Sequence, residues 1–207
     1  STTIPLTLIK YAQDMGVVVE QAEDEIAALN MALGASFAGA PSMVATSGGG
    51  FALMVEGISL AGMTETPVVI VVGQRPGPAT GLPTRTEQGD LNFVLHAGHG
   101  EFPRAIFAPG TVEECFDLTR QAFRIAERYQ SPVFLLTDQF LADSYRDVSP
   151  FILDDAPGAE NEKNPEPEKP YRRFAITGSG ISPRLLPGMG PDLVVVDSDE
   201  HTEDGHI

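Results

Sequence analysis

One cysteine, Cys115, stands among 207 residues. That excludes an internal disulfide and any all-cysteine zinc or iron–sulfur site built by this chain alone. Basic side chains are also scarce: 13 Lys and Arg face 29 Asp and Glu, for a formal net charge of −16. Sequence-independent nucleic-acid binding rests on cations neutralising phosphates, so a nucleic-acid partner is excluded as a class. An anionic membrane surface repels the chain for the same reason. The longest strongly apolar run, Pro67 to Val72, falls far short of the ~20 residues that span a bilayer. No basic-then-apolar leader follows Ser1, so no signal peptide is visible. These absences point to a soluble, cytoplasmic protein with no membrane partner. The chain opens without Met and stops in a polar stretch at His206-Ile207, which reads as a fragment.

Several chemical fingerprints are missing too. Gly48-Gly49-Gly50 fails the dinucleotide pattern G-x-G-x-x-G because Leu53 stands where the third glycine belongs, and no Lys-Ser/Thr ending makes it a P-loop. No G-x-S-x-G elbow exists. The nearest stretch, Gly34-Ala-Ser-Phe-Ala38, reads as helix, which disfavours serine nucleophilic chemistry.

What is present reads as an α/β protein. At this size folding buries roughly 70% of the surface of the unfolded chain, enough for one ample core plus an appendage. Val17-Val18-Val19 is a short apolar run. Between Glu23 and Gly39, Ile26, Leu29, Leu33 and Phe37 recur at spacings of three and four, one face of a helix. Met43 to Thr46 predicts a strand, Ser47 to Gly50 a tight turn, and Phe51 to Met63 a helix apolar nearly all round. Pro67 to Val72 is β-branched without alternation, as is a strand covered on both faces. Ala105 to Ala108 and Pro132 to Thr137 predict two more strands. Thr111-Val-Glu-Glu114 is a capping box that opens a helix to about Tyr129. Such alternation implies a parallel sheet flanked by helices in three layers, over residues 1–150.

After Pro150 the texture changes. Asp154 to Pro170 holds six acids and four prolines, with no aliphatic residue beyond alanine. It cannot bury enough apolar surface to fold alone, so residues 151–170 are expected to form an acidic, Pro-rich linker. Residues 171–207 are expected to form an extended tail, in which 171–176 and 193–196 could add strands or lie along a partner.

Few residues stand out for chemistry on type and spacing alone. Glu25 crowds the first turn of a helix with Glu23 and Asp24; it suits the helix dipole, or it points into a site whose burial lets it share a proton. Gly48-Gly49-Gly50 reads first as a tight βα turn, and otherwise as amides offered to a phosphate. His96-Ala-Gly-His99 has residue types that suit a metal, but its glycines deny the pair fixed geometry, so a hydrogen-bonded loop is the simpler reading. Cys115 reads as structural. The loop from Gly73 to Asp90 is the most informative stretch. It leaves the carboxyl end of a covered parallel strand, where open α/β sheets place ligands. It carries Arg75, Thr80, Thr84 and Arg85 among prolines, and an Arg fork with nearby hydroxyls suits a carboxylate or phosphate.

Several stretches together resemble the α subunit of the 2-oxoacid:ferredoxin (or other acceptor) oxidoreductases. They are Glu23-Asp-Glu-Ile-Ala-Ala28, Ala45-Thr-Ser-Gly-Gly-Gly-Phe51, Gln74-Arg-Pro-Gly-Pro-Ala-Thr-Gly-Leu-Pro-Thr84, Gln88-Gly-Asp-Leu91, His99-Gly-Glu101, Tyr129-Gln-Ser-Pro-Val133 and Val194-Val-Val-Asp-Ser-Asp-Glu-His201. The resemblance implies that residues 1–150 are the pyrimidine-binding domain of a thiamine-diphosphate enzyme. Glu25 would hydrogen-bond the aminopyrimidine ring and help remove the thiazolium C2 proton. Arg75 would pair with the substrate carboxylate, Thr80 and Thr84 would line that site, and Ser47 and Gly48 would approach the cofactor. A β subunit would hold the diphosphate, its Mg²⁺ and a [4Fe–4S] cluster, and a γ-type domain or subunit would join them. The resemblance implies CoA-dependent oxidative decarboxylation of 2-oxoglutarate, with electrons passing to ferredoxin. Pyruvate or a branched-chain 2-oxoacid is the alternative substrate; a non-catalytic scaffold or a stand-alone phosphate or nucleotide binder is the alternative role. Departures are the absent Tyr-Pro-Ile-Thr-Pro stretch, Gly49 in place of proline and Ala79 in place of serine. The chain alone is therefore expected to be inactive.

Overall fold

The computed structural model describes residues 2–152, 169–191 and 193–205. Most of the expected linker, 151–170, lies outside them. Four strands, β1 (Met43–Ser47), β2 (Val68–Gln74), β3 (Ala105–Phe107) and β4 (Pro132–Asp138), make one parallel sheet in the order β1-β2-β4-β3. The register sets Val69 beside Val133 and Val71 beside Leu135. The β-branched run of β2 is buried from Val68 to Val72, as a central strand covered on both faces requires.

Alternate residues of the inner strands feed two cores. On one face Val68, Ile70, Val72, Phe134 and Leu136 meet Leu29 and Leu33 of α2 (Glu25–Phe37), Phe51 of α3 (Gly48–Leu53), Ile58 of α4 (Val55–Met63) and Val94 of α5 (Leu91–His96). On the other face Val69, Val71, Val133 and Leu135 meet Ala122 and Ala126 of α6 (Val112–Tyr129). Ile4 of α1 (Thr3–Met15) joins that second core from its edge. Each large apolar side chain fully buried here contributes roughly 1.5–3 kcal/mol over leaving it in water. The three layers are those expected. No described helix is long and apolar enough to cross a membrane.

Thr111 caps α6 as its sequence predicts, and α2 carries a cap that the sequence reading did not name. Asp24 caps α2 by accepting the Ala27 N–H at 2.7 Å, which leaves Glu25 as the first helical residue. Thr111 caps α6 by accepting the Glu114 N–H at 3.1 Å, while the Glu114 carboxylate accepts the Gly110 N–H at 2.7 Å instead of closing back on the cap residue.

Four readings need correction. Gly48, Gly49 and Gly50 are not a turn: they form the opening turn of α3. The helix expected over Phe51–Met63 is two helices that meet at Met54. The apolar run at Val17 and Val18 lies exposed after α1, a helix that the apolar spacing did not announce. The tail forms no strand among its described residues; it packs back onto this same domain, at the end of the sheet where the strands begin. There Arg173, 4% exposed, donates from Nη2 to the Thr64 and Glu65 carbonyls at 3.1 and 2.9 Å, and from Nη1 to the Pro183 carbonyl at 3.3 Å. Arg184 donates to the Ser36 carbonyl near the end of α2 and pairs with Glu127 at 2.9 Å. The Thr64 and Glu65 carbonyls close α4 and the Ser36 carbonyl lies in the last turn of α2, so the two guanidiniums tie the tail to two helix ends.

Candidate active site

At the opposite end of the sheet, where the strands finish, β1 runs directly into α3 and β2 runs into the long loop. That loop is pinned at its far end by two side chains. Gln88 donates to the Asp138 carboxylate at the end of β4 at 2.8 Å, and the Gln74 side-chain carbonyl accepts the Asp90 N–H at 3.2 Å. Asp138 is itself fixed, because it caps the short α7 (Gln139–Ala142) through the Leu141 N–H at 2.8 Å. The near end of the loop curls into a compact ring. Arg75 Nη1 donates to the Thr80 carbonyl at 2.7 Å, and the Pro76 carbonyl accepts the Leu82 N–H at 3.1 Å. Gly81 adopts φ +54 inside the ring, and a Cβ there would collide with the Pro76 carbonyl, so glycine is the residue this crossing admits.

Between loop and helices lies a cleft of about 590 Å³, lined among others by Glu25, Gly48, Gly49, Gly50, Arg75 and Asp90. The glycine triplet explains how so many polar groups fit. A Cβ on Gly48 would lie 2.7 Å from Asp90 Oδ2, and one on Gly49 would lie 2.8 Å from Arg75 Nη2. A Cβ on Gly50 would fall onto the Thr46 hydroxyl and the Glu25 carboxylate, 2.7 Å from Glu25 Cδ. In a helix each glycine costs roughly 1 kcal/mol relative to alanine. Here that cost removes three side chains and lets three ionisable groups approach one turn of backbone. The order along the turn is Asp90, Arg75, Glu25.

The electrostatics are unbalanced. Arg75 Nε and Asp90 Oδ2 are both buried without a hydrogen-bond partner. Burial pushes the Asp90 carboxyl above its ordinary value; the Arg75 backbone N–H it accepts works the other way, Glu87 adds to the rise, and the Arg75 charge opposes it. A donor and an acceptor of opposite charge are thus both buried beside this turn, a costly arrangement that sets this wall apart from an ordinary helix end.

Of the residues singled out by sequence, the structure brings Glu25, Gly48, Arg75 and Thr80 onto this cleft. Thr80 serves it through its backbone carbonyl, which holds Arg75. Ser47 is half-buried at the junction of β1 and α3, beside the cleft but not among its walls. Thr84 is exposed at φ +59 on the outer part of the loop, away from the cleft walls, and Arg85 is exposed beside it. Sequence reasoning passed over Asp90 and Phe93. The signal for Asp90 is its place as the last acid of a polar loop, directly before an apolar helix. His96 and His99 do not converge: the His99 backbone N–H donates to Ser59 Oγ. No group of three or more His, Cys, Asp or Glu that could hold a metal occurs among the described residues. Cys115 is half-buried on α6, where burial pushes its thiol up.

These residues fit one end of thiamine diphosphate. A carboxylate reaching past a glycine into a half-open cleft suits a polar ring nitrogen. Nothing in the donor set suits a diphosphate with its divalent cation, which asks for several oxygen ligands.

Comparison with known proteins agrees. Residues 1–207 match the family model described as "Pyruvate flavodoxin/ferredoxin oxidoreductase, thiamine diP-bdg". The α subunit of 2-oxoacid:ferredoxin oxidoreductase 1 from Sulfurisphaera tokodaii is 49% identical over 193 residues, which is 92% of this chain and 30% of that one. The 2-oxoglutarate synthase subunit KorA of Archaeoglobus fulgidus is 45% identical over 149 residues, covering 72% of this chain and 43% of that one. Among solved structures, the 2-oxoglutarate:ferredoxin oxidoreductase of Magnetococcus marinus, with 2-oxoglutarate, coenzyme A and succinyl-CoA bound, superposes with a TM-score of 0.86 at 36% identity. It covers 99% of this chain and 36% of that one. The chain thus spans about a third of the length of several relatives it matches. With a family model matched from end to end, the chain belongs to the thiamine-diphosphate-binding domain family of the pyruvate flavodoxin/ferredoxin oxidoreductases.

Proposed function

We propose that this chain supplies the aminopyrimidine half of a thiamine-diphosphate site in the α subunit of a 2-oxoacid:ferredoxin oxidoreductase, and that the assembled enzyme decarboxylates 2-oxoglutarate oxidatively with coenzyme A. The observation that carries the reading is the convergence of Glu25 and Arg75 on neighbouring glycines of one helix turn. When bound, the cofactor supplies the electron sink that holds the pair left by departing carbon dioxide. Glu25 holds a proton at a pyrimidine ring nitrogen. Arg75, tethered by the Thr80 carbonyl, offers its remaining N–H groups to the substrate carboxylate. Ser47 and Gly48 approach the ring, and Thr84 reaches the site once the outer loop meets a partner. Leu53 and Phe93, exposed on the cleft walls, exclude water when that partner covers them.

The partner in this reading is a β subunit bearing the diphosphate, Mg²⁺ and a [4Fe–4S] cluster, with a γ-type domain or subunit alongside and ferredoxin docking on the complex. Its support is chemical: one cysteine and no converging metal ligands among the described residues. A cytoplasmic location and the division into domain, linker and tail belong to the same proposal. The choice of 2-oxoglutarate is supported by relatives named 2-oxoglutarate synthase and by a similar structure with 2-oxoglutarate bound. Co-expressing the full-length α chain with its β subunit and assaying coenzyme A-dependent viologen reduction tests it. Preferred turnover of 2-oxoglutarate over pyruvate and a branched-chain 2-oxoacid is expected. A cofactor-loaded complex with an intact cluster that turns over none of the three sinks the reading.

A further inference from the structure

Asp90 has no part in the reaction as proposed, yet it holds the most exposed energetic position in the cleft. Its Oδ2 is buried, without a hydrogen-bond partner, against Gly48. Every other acid around it carries the same sign. Glu25 reaches the same helix turn two residues along from α2, Glu87 lies on the same loop, and Asp138 stands at the end of β4, held by Gln88. Only Arg75, through its backbone N–H and its guanidinium, offsets the Asp90 charge. A carboxylate that settles against Arg75 takes up that guanidinium and adds another anion to the wall. Two carboxylates at one site cannot both stay ionised cheaply, and the one already held by burial is the one to yield.

We propose that Asp90 is a further residue of the ligand site, which takes up one proton from solvent as a carboxylate binds to Arg75 on the neighbouring glycine of the same helix turn. The proposal rests on the 2-oxoacid reading above and deepens it. It makes Asp90 a positioning residue: ionised, it balances Arg75 in the empty cleft; protonated, it admits the anion. The sign follows from linkage, because the bound state holds one more proton. Affinity is therefore full at low pH and falls as pH rises between the Asp90 values of the free and bound forms, by up to about tenfold per pH unit.

The test uses the assembled complex containing the full-length α chain, in wild type and Asp90→Asn, with Asp90→Ser as a second variant should the first fail to fold. The kcat/KM for the preferred 2-oxoacid is measured against pH. Glutarate, which lacks the reactive oxo group, is titrated calorimetrically in two buffers of different ionisation enthalpy. Wild type is expected to take up one proton per glutarate and to lose kcat/KM at high pH; the variant takes up none and loses that limb of the profile. Proton uptake absent in wild type, or undiminished in the variant, overturns the assignment of Asp90 while 2-oxoacid turnover still stands. A wild-type complex that turns over no 2-oxoacid overturns the reading beneath it, and this inference with it.

Discussion

The two ends of the sheet hold arginines in opposite conditions. Where the strands begin, Arg173 and Arg184 are driven into the fold and their donors are spent on the carbonyls that close α2 and α4. Where the strands finish, Arg75 bonds one carbonyl and keeps its buried Nε open. The same side chain ties the tail to helix ends at one end, and at the other lies beside the cleft with one N–H unpaired. The difference lies in what the backbone offers. Helix carboxyl ends present carbonyl acceptors, to which a guanidinium can donate several bonds at once. The glycine turn of α3 presents no side chain at all, so the charges that crowd it are left to face a ligand.

That contrast can be broken in order of expected effect. Glu25→Gln keeps size and removes the proton-holding group, so kcat of the assembled enzyme should fall by roughly 10²–10⁴-fold with thermal stability unmoved. Steady-state viologen reduction beside a melting curve checks both halves, and full activity would empty the carboxyl end of its chemistry. Arg75→Lys comes next. Lysine cannot hold the Thr80 carbonyl and a carboxylate in one plane. Loss of a charge-assisted bond worth about 1.5–3 kcal/mol should lower kcat/KM some ten- to hundredfold, mostly through KM. At the other end, Arg173→Met leaves the Thr64, Glu65 and Pro183 carbonyls without their donor. It should cost about 1–3 kcal/mol of stability in denaturant titrations, with kcat per folded molecule unchanged. Thr111→Ala, remote from both ends, removes only the α6 cap and should cost about 1 kcal/mol. Activity lost in Arg173→Met out of proportion to unfolding would show that the two ends are coupled.

How far the sequence reveals this arrangement depends on where the deciding force is local. β2 is legible because a β-branched run with no polar face has few other places to go. The α6 start is legible because Thr111 and Glu114 cap it within four residues. The opening of α3 is not, because three glycines argue against helix; the turn is imposed by Phe51, fully buried edge-on to Phe93 and Phe134 at 5.1 and 5.9 Å. The start of α1 hides behind Pro5, which looks like a breaker but lies in the first turn, where a missing N–H goes unnoticed. The apolar runs of the tail suggest either added strands or a segment laid along a partner, whereas Arg173, a charge, anchors it to this domain. Within the site, Glu25 and Arg75 are readable from residue type and resemblance. Asp90 is not, since its meaning comes from an empty position at Gly48, forty-two residues earlier in the chain.

The ties of the tail also bear on the order in which the molecule assembles. Arg173 meets Thr64 across 109 residues of chain, and Arg184 meets Ser36 across 148. Loop closure over such spans costs entropy before any contact forms in return, so these bonds close late. The tail is thus a latch set after the sheet is complete, and mutations in it act on the rate of unfolding more than on the rate of folding.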